Sequence, residues 1–111
     1  MEKIALLLAF LPAAAFAEER VFECDAPDAE HPEMAAKLVK YDGQQKGHIT
    51  IGDIDKDVDV FPGLDTFTYL YIGDGYTLHY NVHTEKGTFD YSASGSKSGW
   101  GKGACREITG Q

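Results

Sequence analysis

The 111-residue chain is poor in positive charge, in cysteine and in long apolar runs, and each shortage excludes something. Ten Lys and Arg stand against 18 Asp and Glu, for a net charge of −8. Nucleic acid and anionic lipid are polyanions that such a surface repels, so neither is an expected partner. Past Phe16 no apolar run approaches the length of a spanning helix, so no membrane contact is expected once the leader described below is removed. Two cysteines, Cys24 and Cys105, have no further Cys or nearby His to complete a metal-ligand set. There is no nucleophile elbow, no free cysteine beside a histidine and no isolated acid pair, so neither enzyme activity nor a cofactor is expected.

What is present begins with an address. Lys3 and the amino terminus give a cationic start, Ile4 to Phe16 is apolar apart from Pro12, and Ala15-Phe16-Ala17 supplies small residues around a cut. That three-part layout predicts a secretory signal peptide over residues 1–17, cleaved between Ala17 and Glu18. Pro12 and the charged Glu18-Glu19-Arg20 argue against a buried amino-terminal helix instead. The cut takes Glu2 and Lys3 with it, so residues 18–111 keep the net charge of −8 and form one small domain, expected to be a monomer. No cysteine follows the cut directly and no Asn-x-Ser/Thr acceptor occurs, which favours the bacterial periplasm or the medium as destination. An oxidising compartment favours a disulfide between Cys24 and Cys105. Closing that loop contributes roughly 4.5 kcal/mol in the chain-entropy account, comparable with the whole stability of a domain this size.

From Cys24 onward, short runs rich in Val, Ile, Thr, Tyr and Phe alternate with Gly, Asp and Pro, which predicts an antiparallel β protein. Asp74-Gly75 predicts a two-residue turn with positive φ at both positions, opposing Tyr71 to Leu78, Tyr69 to Tyr80 and Phe67 to Val82 on one bulky face. Lys86-Gly87 predicts a second such turn, setting Tyr91 against Val82 and Ala93 against Tyr80. Further strands are expected near Ala35 to Tyr41, His48 to Ile51 and Asp57 to Phe61, joined by turns at Asp42-Gly43, Gly52 to Lys56 and Pro62-Gly63. A helix over Pro32 to Tyr41 competes with the first, because Met34, Leu38 and Tyr41 have helical spacing and Pro32 suits a first turn. Val21 to Cys24 and Lys102 to Ile108 bring the total to about eight strands, enough to close a small barrel. The expected fold is therefore all-β: a small antiparallel up-and-down meander closed into an eight-stranded barrel, with Cys24–Cys105 stapling the seam.

Candidate sites follow from the same register. Asp53, Asp55, Asp57 and Asp59 are the densest charge feature, but the calcium-loop pattern fails, with Val58 for Gly at its sixth position and Leu64 for Glu at its twelfth. A solvated acidic turn that discourages edge pairing is the expectation. His79 and His83 sit about 13 Å apart on a strand, too far to share a metal, and His83 faces Asp90 across the hairpin. Tyr69, Tyr71, Tyr80 and Tyr91 belong to the core with Phe67 and Phe89, yet phenolic hydroxyls want partners, which makes the four tyrosines candidates for a small-ligand interior. Ser92 to Gly103 reads as a flexible Gly/Ser loop, wrongly spaced for a phosphate loop. Its Ser94, Lys97, Trp100 and Lys102 are candidates for contact with a protein partner.

Phe22-Glu23-Cys24, the aromatic hairpins and Gly103-Ala104-Cys105 together resemble a group of small, uncharacterised exported β-barrel proteins of Gram-negative bacteria. Ser92-Ala93-Ser94-Gly95 is similar to the Ser/Gly-rich recognition loop of the periplasmic inhibitors of c-type lysozyme, small disulfide-bearing barrels. Here the segment lies near the carboxyl end and is followed by Lys97 and Trp100. That second resemblance implies an inhibitor role. The leading expectation is a non-enzymatic periplasmic binding or inhibitor module whose acidic surface and Ser92–Gly103 loop engage a cationic protein such as a lysozyme. The alternative is a small-ligand-binding barrel that uses its tyrosine-lined interior.

Overall fold

Alternating apolar and polar side chains produce eight strands: β1 (Arg20–Cys24), β2 (Ala36–Lys40), β3 (Lys46–Ile51), β4 (Ile54–Pro62), β5 (Thr66–Ile72), β6 (Tyr76–His83), β7 (Thr88–Gly95) and β8 (Gly99–Glu107). Each pairs antiparallel with the next, and β8 pairs with β1, so the sheet is a closed up-and-down barrel. The computed structural model describes residues 19–108, and the expected leader lies outside them. The competing helix at Pro32 to Tyr41 is reduced to one 3₁₀ turn, Pro32–Met34. Beyond it Ala36 and Leu38 point inward opposite Ile51 and Ile49, a period of two that only a strand provides.

The Asp74-Gly75 hairpin has the expected register, with Tyr71, Tyr69 and Phe67 opposite Leu78, Tyr80 and Val82. Its geometry differs in one respect, since only Gly75 has positive φ (87°). The second hairpin corrects the expectation. The Gly87 amide donates to the His83 carbonyl over 2.9 Å, so the turn holds four residues and the register moves by two. Tyr91 therefore faces Tyr80, and Phe89 faces Val82. An even shift leaves every side chain on its expected face. The acidic turn is likewise shorter: Gly52 and Asp53 complete it, while Asp55, Asp57 and Asp59 lie on β4.

The Gly/Ser segment is not a flexible loop. β7 runs through Gly95 and β8 starts at Gly99, leaving three residues between them. Gly101 and Gly103 face inward, where a Cβ would come within 2.6 Å of the Tyr91 and Phe89 rings respectively. Those rings lie directly on the β8 backbone, so the alternation of Gly with Trp100 and Lys102 is the in-and-out pattern of a strand. Tyr80 stacks between them, 5.1 Å from Phe89 and 6.2 Å from Tyr91, centroid to centroid.

The closing seam is short. Only Phe22–Glu107, Glu23–Arg106 and Cys24–Cys105 face one another across β1 and β8, and the last pair is the disulfide, which spans 81 residues of sequence. Arg20 adds two hydrogen bonds to the Glu107 carboxylate, of 2.9 and 2.8 Å. Its guanidinium also lies over the Phe22 and Phe67 rings, at 5.4 and 5.2 Å, and the Lys40 ammonium lies 5.8 Å from the centre of the Phe67 ring. These cations and rings cap one end of the barrel.

Two core groups are left unsatisfied: the Tyr69 and Tyr80 hydroxyls are buried without a hydrogen-bond partner among the described residues. Burial pushes both phenols well above their ordinary titration range. An unpartnered buried hydroxyl carries a desolvation cost of about 1–3 kcal/mol. Tyr69→Phe and Tyr80→Phe should therefore each stabilise the fold, by about 1 kcal/mol. Urea unfolding of the purified variants measures this, and destabilisation by either change would mean that its hydroxyl is satisfied in solution.

Candidate functional site

In an up-and-down barrel the β1–β2, β3–β4, β5–β6 and β7–β8 connections share one end, opposite the Arg20 cap. That end is open. A cavity of about 410 Å³ descends from it, lined by Met34, Ile51, Ile54, Leu78 and Ala93, by Tyr71, Tyr76 and Tyr91, and at the rim by Gly52, Asp53 and Lys97 to Gly99. The opening has a local cause. Tyr71, Leu78, Ala93 and Gly99 form one row across β5 to β8, and the last two are too small to fill the space above Tyr80 and Tyr91. Tyr71 and Tyr76 stand 5.8 Å apart with their planes inclined at 58°, forming two walls of the mouth. The Tyr91 hydroxyl reaches the Met34 thioether at 3.9 Å. The Lys97 ammonium lies 5.0 Å from the centre of the Tyr76 ring.

The four candidate tyrosines thus divide by depth. Tyr69 and Tyr80 are packed core, fully buried below the mouth cavity and outside its lining, whereas Tyr71 and Tyr91 line it. Periodicity finds their common face but not their height along the barrel. Sequence reasoning missed Tyr76, Met34 and Asp53 as mouth residues. Tyr76 follows the Asp74-Gly75 turn directly, a placement that signals a rim position on any hairpin.

The partner-contact candidates also separate. Ser94, Trp100 and Lys102 point outward from β7 and β8, while Lys97 sits at the mouth. Trp100 is 77% exposed and faces Ser92 across the strands. Lys102 faces Asp90 and borders an outer-wall depression of about 480 Å³ with His83 and Lys86. The acidic row on β4 stands four strands from β8 in a ring of eight, on the opposite side of the barrel. One partner contacting Trp100 squarely does not meet that row.

The acidic row has cationic answers. Lys46 pairs with Asp59 at 2.6 Å, and His48 is held between Asp55 and Asp57, with its Nε2 2.5 Å and its Nδ1 2.7 Å from their carboxylates. Tyr41 also donates to Asp57, over 2.8 Å. Both ring nitrogens of His48 can donate only as imidazolium. Among the described residues no group of three or more His, Cys, Asp and Glu is arranged to hold a metal ion. On the adjoining wall Thr68 donates to Asn81 and Asn81 to Asp90, while His83 meets Asp90 diagonally at 2.6 Å rather than directly across.

The chain matches no protein-family model, no curated protein and no solved structure.

The hydrogen bonds to Asp55 and then Asp57 hold the His48 pKa above the ordinary histidine value, and the same bonds hold both carboxyls below theirs. His31 is raised in the same way by Asp28. A raised histidine stabilises the fold fully below its unfolded pKa, near 6.5, and this contribution is lost as pH rises through its folded value. A depressed carboxyl stabilises above its unfolded pKa, near 3.9, and loses this as pH falls through its folded value. Stability should therefore be greatest between about pH 4 and pH 6.5 and decline on the alkaline side. Thermal unfolding from pH 5 to 8 should show that decline weakened in His48→Asn, and an unchanged profile would show that the clamp contributes nothing in solution.

Proposed function

We propose that the protein is a non-enzymatic binding module of the bacterial cell envelope, exported by residues 1–17 and holding a small ligand in the open mouth of its barrel. The carrying observation is the unequal treatment of the two ends. One is sealed by Arg20, Lys40, Phe22 and Phe67, and the other opens into a cavity of about 410 Å³ walled by apolar and tyrosine side chains. A concave apolar site with a few polar groups at its rim is the usual form of a small-molecule site, and its volume lies within the usual range. The disulfide is consistent with an oxidising compartment, and no helix of the described residues is long and apolar enough to cross a membrane.

Ala93→Phe places a ring in the mouth without touching the sealed end. Native mass spectrometry of freshly purified mature protein should show a bound small molecule that the variant loses while its circular dichroism is unchanged. Equal retention by both proteins would move the site elsewhere, and a wild-type protein that takes up nothing from an envelope extract would end this reading.

A second reading is favoured by Trp100, an exposed aromatic held on a strand rather than a loop, which is the form of a protein-contact anchor. The net charge of −8 steers cationic proteins toward the chain. Titration against c-type lysozyme tests it, with Trp100→Ala expected to weaken binding by about tenfold or more. Absence of binding and of inhibition by the wild-type protein would remove it.

A further inference from the structure

We infer that the barrel mouth is a site for small organic cations, and that Lys97 occupies it as a tethered competitor. The inference rests on the mouth-binding reading and names the chemistry of its ligand. Three phenol rings, Tyr71, Tyr76 and Tyr91, and the Met34 thioether line the cavity, and none of these groups carries positive charge. The face of an aromatic ring is electronegative, and a cation within about 6 Å of its centre is attracted to it. A cation already stands there: the Lys97 ammonium lies 5.0 Å from the centre of the Tyr76 ring.

Lys97 is in the turn between β7 and β8, exposed, on a protein with 18 acidic side chains, yet it makes no ion pair with any described residue. It rests on a ring instead of a carboxylate, which marks the Tyr76 face as a cation position. Asp53 lines the rim of the same cavity and makes no ion pair with any described residue either. The net charge of −8 adds a field that concentrates cations and depletes anions at a low-dielectric mouth. An anionic ligand could use Lys97 alone, against Asp53 and that field. An organic cation with an apolar body meets three rings, Ile51, Ile54 and Leu78 below them, and Asp53 beside them.

Two ammonium groups cannot share the Tyr76 face, so a ligand cation enters as Lys97 swings out to solvent. Lys97 therefore sets the affinity by competition, and removing it favours the ligand. An anion would show the reverse dependence, because Lys97 would then be its partner.

Three probes of nearly one shape and different charge separate these cases: choline, its neutral carbon isostere 3,3-dimethylbutan-1-ol, and the anion 3,3-dimethylbutanoate. Titrations of the mature protein, followed by the ring resonances of Tyr71, Tyr76 and Tyr91, should show choline binding tighter than either of the others. Lys97→Ala should tighten choline by about two- to fivefold, the value of one exposed cation on a ring. Asp53→Asn should loosen it. Equal binding of the alcohol, preference for the anion, or weaker choline binding in Lys97→Ala each overturns the inference and leaves the mouth reading standing. If no probe moves those resonances the inference also falls, and the mouth reading is then decided separately by the Ala93→Phe mass measurement. Lys97 and Asp53 are both exposed turn residues, so neither substitution removes a core contact.

Discussion

Closure of the sheet at the β1–β8 seam is the constraint on which the rest of the structure depends. A meander of eight strands leaves two edges, and here they meet through three residue pairs, flanked by the backbone bonds from Asp25 to Ala104 and from Ile108 to Val21. Backbone pairing over so short a length is a weak clasp for a barrel. The Cys24–Cys105 bridge sits within it, and the Arg20–Glu107 ion pair lies at its end. Once closed, the ring fixes how far apart opposite walls stand, and the interior must then be filled by side chains of matching size. The bulky aromatics of β5 to β7 take most of that space. β8 can complete the ring only by offering Gly101 and Gly103 at its inward positions, beneath Tyr91 and Phe89. The staple and the glycines answer the same demand, which is to close a narrow barrel around large rings.

This explains which features were legible in the sequence. The Thr66 to Val82 hairpin was readable because bulky and polar residues alternate on both sides of a short turn, and burial turns that alternation into a face. The Lys86-Gly87 turn was misjudged in length because glycine marks a positive φ without saying how many residues precede it. The face assignment survived because the shift was even. The Ser92–Gly103 segment was misread for a different reason. Inward residues are normally recognised by bulk, and here the inward residues are glycines whose space is taken by rings on the neighbouring strand. The period of two was present in Gly99-Trp100-Gly101-Lys102-Gly103, but with its hydrophobic sign removed. The turn after Ile51 was drawn too long, over Gly52 to Lys56, so that Asp55 was placed in it, whereas Asp55 belongs with Asp57 and Asp59 to β4. They lie on the outer face of β4, where Lys46 and His48 of β3 supply the compensating charge.

The candidate site was only half visible. Parity along strands places Tyr69, Tyr71, Tyr80 and Tyr91 on the inner face, but it is blind to height. Height is decided by the cross-strand rows. The Tyr69–Tyr80–Tyr91 row ends at Gly101 and packs at mid-barrel, whereas the row above it passes from Tyr71 through Leu78 to Ala93 and Gly99 and runs out of bulk. Residues outside the strand pattern, Met34 from its 3₁₀ turn and Lys97 from the last hairpin, then complete the rim. No local sequence signal brings those two together, because their proximity exists only after β8 has closed against β1.

An open mouth has an energetic implication for a domain this small. Filling the Ala93 and Gly99 positions with larger apolar side chains would bury more surface, at about 25 cal/mol per Å², and would cover the half-buried tyrosines of the mouth. The opposite end follows that course: Phe22 and Phe67 are packed there beneath two cations. A chain of this length is marginal on its core alone, so leaving one end unfilled requires stability from elsewhere. The seam supplies it, since a bridge over 81 residues acts on the unfolded chain and demands no filling of the interior. The disulfide thus permits the cavity: it uncouples the stability of the barrel from the completeness of its packing, and the mouth is where that freedom is used.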